Sequence, residues 1–184
     1  MRYVDQGPLH RPALNLAIEE YLLRQLRSDE DYLFFYNNDP SVIIGRNQNA
    51  WEEIDEVFCR AEGIQVVRRL SGGGAVYTDR GNLSFSFITR DDGQSFMNFK
   101  KFTEPVVEAL RTLGVPAELT GRNDIQVGER KISGNAQYAA GGRLMTHGTL
   151  LLSVDLERMT RALQPRAEKF QSKSTKSVRA RVAN

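Results

Sequence analysis

Residues 68–76 read RRLSGGGAV: three consecutive glycines between an arginine pair and a strand-forming run. Each glycine held in ordered backbone costs about 0.5–1 kcal/mol relative to alanine. A plain turn needs one or two special backbone positions, not three followed at once by β-branched and aromatic residues. Consecutive residues without Cβ let a ligand lie directly on the main chain, and their N–H groups can point at an anion. Arg68 and Arg69 add planar cations suited to phosphate or carboxylate. Lys131, in RKISGNAQ (130–137), adds a compact one. Further polar and glycine islands are GRNQN (45–49), YTDRGN (77–82), GRNDI (121–125), HGTLL (147–151) and KSVRAR (176–181). Together they suggest a nucleotide or acyl-phosphate site with cationic walls.

Several other chemistries lack their residues. Two histidines, His10 and His147, and one cysteine, Cys59, assemble no zinc constellation. No G-x-x-x-x-G-K-[ST] run exists, and Tyr77 occupies the third glycine's place in the G-x-G-x-x-G pattern that starts at Gly72. No G-x-S-x-G elbow supports a serine hydrolase.

The elements that must position these islands are mixed in order. PALNLAIEEYLLRQL places Leu14, Ala17, Ile18, Tyr21 and Leu22 at helical spacing. DYLFFYN and SVIIG, separated by a turn signal, read as a strand pair. WEEIDEVFCRAEG reads as a second helix ending at Gly63, with Cys59 an inert core residue. IQVVRRL is a strand leading into the glycines, and LSFSFIT alternates Leu83, Phe85 and Phe87 with two serines as a half-buried strand. NFKKFTEPVVEALRTLG is a helix stopped at Gly114, several glycine-linked strands follow, and LERMTRAL is a short helix capped by Asp155. The fold class expected is α+β, with a mixed or antiparallel sheet flanked by helices.

A chain of 184 residues with 40% hydrophobic and 26% charged residues is long enough to close its own core. A single cysteine fits a reducing compartment, so cytoplasm is the expectation. No apolar run reaches the roughly 20 residues of a membrane span. The net charge of +2 is uneven: from Pro165 onward six basic residues face one acid, and a basic tail on a near-neutral body suggests an anionic partner.

RRLSGGGAVYTDRGNLSFSF, GRNDIQVGERKISGNAQ and HGTLLLSVDLERM, followed by KSVRARV, resemble the lipoate–protein ligases. The resemblance runs in order from about Asn15 to the end. It implies a catalytic domain similar to that of biotin ligases. It also implies a two-step reaction in which lipoate attacks the α-phosphate of ATP with magnesium, and lipoyl-AMP then acylates a lysine amine of an acceptor domain. The implied acceptors are 2-oxoacid dehydrogenase subunits and the glycine cleavage H protein, with neither nucleic acid nor membrane as partner. Residue by residue, the resemblance makes Arg69 and the backbone of Gly74, Ala75, Val76 and Tyr77 nucleotide-contacting, and the loop Arg68–Gly74, including Ser71, Gly72 and Gly73, lipoate-binding. Asp79 and Asn82 come with that stretch as further candidates. Lys131 becomes the catalytic lysine between acyl carbonyl and α-phosphate, Asn123 and Asp124 magnesium candidates, and His147 part of the same pocket. Residues 169–181, with Lys176 and Arg179, become the adenylate-binding loop. Val42, Ile43, Ile44, Phe35 and Phe85 are candidates for an acyl slot, equally readable as core.

Related acyltransferases need a nucleophilic cysteine after HGTLLL, and no cysteine follows Cys59. Many ligases of this type continue into a small accessory domain. The expectation is that residues 1–184 form the catalytic domain alone, working with a separate accessory chain or representing a shortened form. A nucleic-acid binding module is the rival from another class, resting on the basic tail and arginine pairs.

Overall fold

The computed structural model describes residues 1–26, 29–164 and 182–184. In chain order these form β1 (Arg2–Asp5), α1 (Pro12–Arg24), β2 (Tyr32–Tyr36), β3 (Ser41–Ile44), a 3-10 turn (Ala50–Glu52), α2 (Glu56–Ala61), β4 (Gln65–Arg68) and β5 (Val76–Thr78). They continue with β6 (Asn82–Arg90), α3 (Phe99–Thr112), β7 (Ala117–Thr120), β8 (Asp124–Val127), β9 (Arg130–Ala140), β10 (Arg143–Leu151) and α4 (Leu156–Ala162). A seven-stranded sheet runs β1-β2-β6-β10-β9-β8-β7, and a three-stranded sheet runs β4-β3-β5. β1 pairs with β2 in parallel and β3 with β4 in parallel; the other pairings are antiparallel. The architecture is α+β with mixed sheets flanked by helices, as the sequence leads one to expect.

Local signals account for the helix ends. Pro12 opens α1, where its fixed φ suits the first turn. Asn98, Asp55 and Asp155 each accept a backbone N–H at the starts of α3, α2 and α4. The run WEEIDEVFCRAEG is not one helix: its first turn is 3-10, and Asp55 begins α2 afresh.

Three expectations change. β2 and β3 do not pair with each other. β2 lies between β1 and β6, whereas β3 is the centre of the small sheet, buried at all four positions. A continuous apolar run such as SVII is what a strand covered on both faces requires. β6 is likewise buried on both faces, because its serines Ser84 and Ser86 are as enclosed as Phe85. The buried face of α1 is Pro12, Asn15, Glu19, Leu22 and Leu23, one step round from the apolar stripe, which leaves Tyr21 exposed.

One core joins α1 to the large sheet through Leu22, Leu23, Phe34, Ile88 and Met145. α3 covers the opposite face through Phe85, Val107, Leu110 and Ile125. The small sheet packs with α2 and α4 around Val42, Phe58, Cys59, Tyr77 and Met159. A cavity opens where the two sheets face each other.

Candidate active site

The cavity is about 470 Å³, within the range of small-molecule sites. Its walls come from both sheets: Ile43, the segment 73–76 and Thr78 from the small one, Tyr36, Ser84, Lys131, Gly134, Asn135, Ala136 and His147 from the large one, and Leu16 from α1. The parallel pairing of β3 and β4 brings the first two sequence islands together. Ile44 lies opposite Arg68, so Gly45 and Arg69 leave the sheet side by side. The approach is close: a Cβ on Gly45 would stand 2.1 Å from the carbonyl oxygen of Gly73. Gly73 itself has a φ of +95°, a conformation that favours glycine.

The arginine pair serves this loop from within. Arg69 donates from Nε to Ser71 Oγ (3.1 Å), from Nη1 to the carbonyl of Ile43 (3.0 Å), and from Nη2 to those of Gly72 (2.7 Å) and Gly74 (2.8 Å). Four of the five guanidinium N–H donors are thereby used, three on the glycine loop and one on β3. Burial brings the Arg69 guanidinium down to about 10, against the opposing pull of the Glu19 carboxylate. Arg68 donates to the carbonyls of Gly45, Arg46 and Gln48 and does not line the cavity. The expected cationic wall is therefore largely a clamp: backbone carbonyls converge where the parallel strands end, and the guanidinium forks meet them.

Lys131 is the lining residue with its ammonium at the cavity, 2.9 Å from Asp124 Oδ1. Asp124 carries the only carboxylate among the described lining residues. Asn123 lines the same wall, but its amide donates to the carbonyl of Asn135, which returns a bond of 2.9 Å from its own side chain to the carbonyl of Asn123. No group of three or more His, Cys, Asp or Glu among the described residues could by itself hold a metal ion.

A second polar group was not legible in the sequence. His147 Nδ1 lies 3.1 Å from both Oε1 and Oε2 of Glu19, and its Nε2 is 2.6 Å from Ser71 Oγ. Tyr36 donates its hydroxyl to Glu19 Oε1 at 3.1 Å, and burial first, then Glu19, pushes that hydroxyl well above its ordinary range. Glu19 is 1% exposed and Ser71 fully buried. In the sequence Glu19 reads as one of the helix's solvent charges; only the placement of α1 on the sheet shows it buried beside Asn15, where such a charge needs partners.

Of the residues singled out in the sequence, the structure brings Arg69, Gly73, Gly74, Ala75, Val76, Asn123, Asp124, Lys131 and His147 to the cavity. Ser71 and Gly72 support it through Arg69. Tyr77 points into the core of the small sheet. Asp79 and Asn82 build the following turn, where Asn82 accepts from the Asp79 N–H, and Asp79 accepts from Gly81 and Asp155. Neither lines the cavity, because each is consumed by the turn that joins β5 to β6, which Asp79 ties to the start of α4. Of the apolar slot candidates only Ile43 lines it; Val42 and Ile44 are core of the small sheet, and Phe85 and Phe35 pack toward α3. The segment 169–181, with Lys176 and Arg179, lies outside the described residues. Cys59 is buried in α2 away from the cavity, with burial pushing its thiol up, the opposite of an activated nucleophile. No described helix is long and apolar enough to cross a membrane.

Comparison with known proteins adds three observations. Residues 11–184 match the lipoyl protein ligase A/B catalytic domain. The chain is 56% identical over 184 residues to lipoate–protein ligase 1 of Staphylococcus aureus, spanning all of itself but only 56% of that protein's length. Two solved structures share the fold. A bi-partite lipoate protein ligase of Thermoplasma acidophilum, described with its E2 lipoyl domain, has a TM-score of 0.82 at 36% identity, covering 91% of this chain and 67% of the other. A lipoate-protein ligase A bound with ATP has a TM-score of 0.78 at 34% identity, covering 91% and 71%.

Proposed function

Because the chain belongs to the lipoyl protein ligase A/B catalytic domain family, we propose that it activates lipoate with ATP and transfers the lipoyl group to a lysine of an acceptor domain. The observation that carries this reading is the layout of the cavity. The Lys131–Asp124 pair, His147 and the glycine loop line the same cavity. His147 lies opposite Ala136 on β9, two residues past Gly134, over which the Lys131 stem folds, or roughly 7 Å along the strand. Leu16, Ile43 and Ala136 give apolar wall. An acyl chain is proposed to lie along this wall with its terminal carboxylate at the lysine.

In the first step a lipoate carboxylate oxygen forms a bond to the α-phosphorus as the bond to pyrophosphate breaks. Two anions must approach, and the Lys131 ammonium offsets their repulsion and stabilises the developing charge. In the second, the acceptor amine attacks the acyl carbonyl and AMP leaves with the anhydride electrons; the same lysine serves the carbonyl oxygen. No protein nucleophile is required. The exposed main chain of 74–76 is proposed to cradle the nucleotide. Asp124 suits magnesium, which is held by one or two carboxylates together with substrate phosphates. When bound, magnesium would supply neutralisation of triphosphate charge.

The acceptors proposed are lipoyl domains of 2-oxoacid dehydrogenase subunits and the glycine cleavage H protein, supported in kind by the Thermoplasma ligase described with its E2 lipoyl domain. Residues 1–184 are proposed to be the catalytic unit, working with an accessory domain or chain, since they span about half the length of a full relative and a bi-partite neighbour exists. A cytoplasmic site is proposed from the lone cysteine. The deciding experiment is lipoate-dependent ATP–pyrophosphate exchange, with and without an added accessory domain. Exchange in either supports the reading, and its absence in both overturns it.

A further inference from the structure

The hydrogen-bond chain behind the glycine loop has a direction that can be worked out. Arg69 Nε carries a hydrogen and has nothing to accept with, so Ser71 Oγ accepts from it at 3.1 Å. The Ser71 hydroxyl hydrogen then has one close partner, His147 Nε2 at 2.6 Å, which must present its lone pair. The ring hydrogen is therefore on Nδ1, where both Glu19 oxygens receive it at 3.1 Å. Tyr36 donates to the same carboxylate. All the donors in the chain point toward Glu19, an acceptor only when ionised. Glu19 is 1% exposed and Arg69 8%, so the carboxylate is the enclosed counter-charge of the guanidinium, reached through two neutral groups. Arg69 in turn holds the carbonyls of Ile43, Gly72 and Gly74.

We propose that Glu19 is a positioning residue of the cavity: by accepting from Nδ1 it fixes His147 in the Nδ1–H form, and through Ser71 it holds Arg69 in the orientation that shapes loop 72–74. A helix whose one lining residue is Leu16 thus shapes the cavity from behind.

This inference deepens the ligase reading, and its test separates the two. Long-range nitrogen–proton correlation spectra of the histidine-labelled chain at pH 7, with His10→Gln removing the other ring, report the tautomer without any activity. A protonated Nδ1 and bare Nε2 are expected; an Nε2–H ring or an imidazolium overturns the proposal. In the exchange assay, Glu19→Ala raises KM for lipoate by about thirtyfold, with kcat within about twofold. Glu19→Gln, which keeps an acceptor for Nδ1–H, recovers most of the loss. A lowered melting temperature with unchanged lipoate KM in both variants would reduce Glu19 to a structural role. Absence of exchange from the wild-type chain both alone and with an added accessory domain sinks the ligase reading, and the tautomer measurement then decides the proposal by itself.

Discussion

Lys131 reaches Asp124 by folding back over Gly134. The two strands pair Asp124 with Gly134, and a Cβ on Gly134 would stand 3.1 Å from both Cε and Nζ of Lys131. The missing methyl is the space the lysine stem occupies, and the pair at 2.9 Å is about a quarter exposed on each side. An ion pair in that setting contributes little to stability, so its geometry is better explained by holding a cation ready for incoming oxygens.

Lys131→Ala is accordingly expected to lower exchange turnover by about 10²–10³, the effect of losing one transition-state donor, while far-UV circular dichroism stays that of the wild type. An unchanged rate would remove Lys131 from the mechanism.

Gly73→Val places a branched side chain at φ +95°, with its Cβ 3.0 Å from Arg69 Nη2. The backbone cost is about 1–2 kcal/mol, a fall in melting temperature of roughly 2–8 °C for a chain of this size. The displaced guanidinium loosens the loop. Calorimetric titration with a lipoyl-adenylate analogue should show affinity reduced by more than about tenfold. Wild-type affinity would return the glycines to an ordinary turn.

Cys59→Ser tests the thioester alternative. The side chain is 2% exposed and packed among Ile54, Phe58 and Met159, so the cost falls on stability, about 1–3 kcal/mol for an imperfectly bonded buried hydroxyl. Exchange measured below the new melting temperature should remain within about twofold. Complete loss would revive an acyl-cysteine intermediate.

Tyr77 supplies a pH prediction. Burial first, then the nearby Asp79 carboxylate, pushes its hydroxyl up to about 12 from 10.0. The folded chain therefore holds a proton that the unfolded chain releases, so this stability is complete below pH 10 and is lost as pH rises toward 12. Denaturant melts across that window should show a steeper alkaline decline for wild type than for Tyr77→Phe. Parallel declines would mean that Tyr77 titrates normally.

Local end signals disclosed α3 and the short α4, through the stop at Gly114 and the cap at Asp155. The sequence disclosed the glycine loop for a similar reason: backbone permissiveness is a property of single residues. It did not disclose which strands pair, since SVII and YLFFY are neighbours in the chain yet belong to different sheets. It did not disclose that both guanidiniums hold main-chain carbonyls, and it missed Glu19. A guanidinium that binds phosphate and one that binds carbonyls are the same letter, and Glu19 reads as a solvent charge until the helix is rotated against the sheet.

The side-by-side ends of β3 and β4 have an engineering consequence. What the cavity needs from this region is that Gly45 and Arg69 emerge flush, whereas the excursion through α2 leaves the sheet and comes back to it. The turn around Arg60–Gly63 is exposed, and lengthening a surface loop is entropically cheap. A reporter module grafted there would ride on the outside of the molecule while the two strand termini stay in register, making that corner a place to attach cargo without retuning the chemistry.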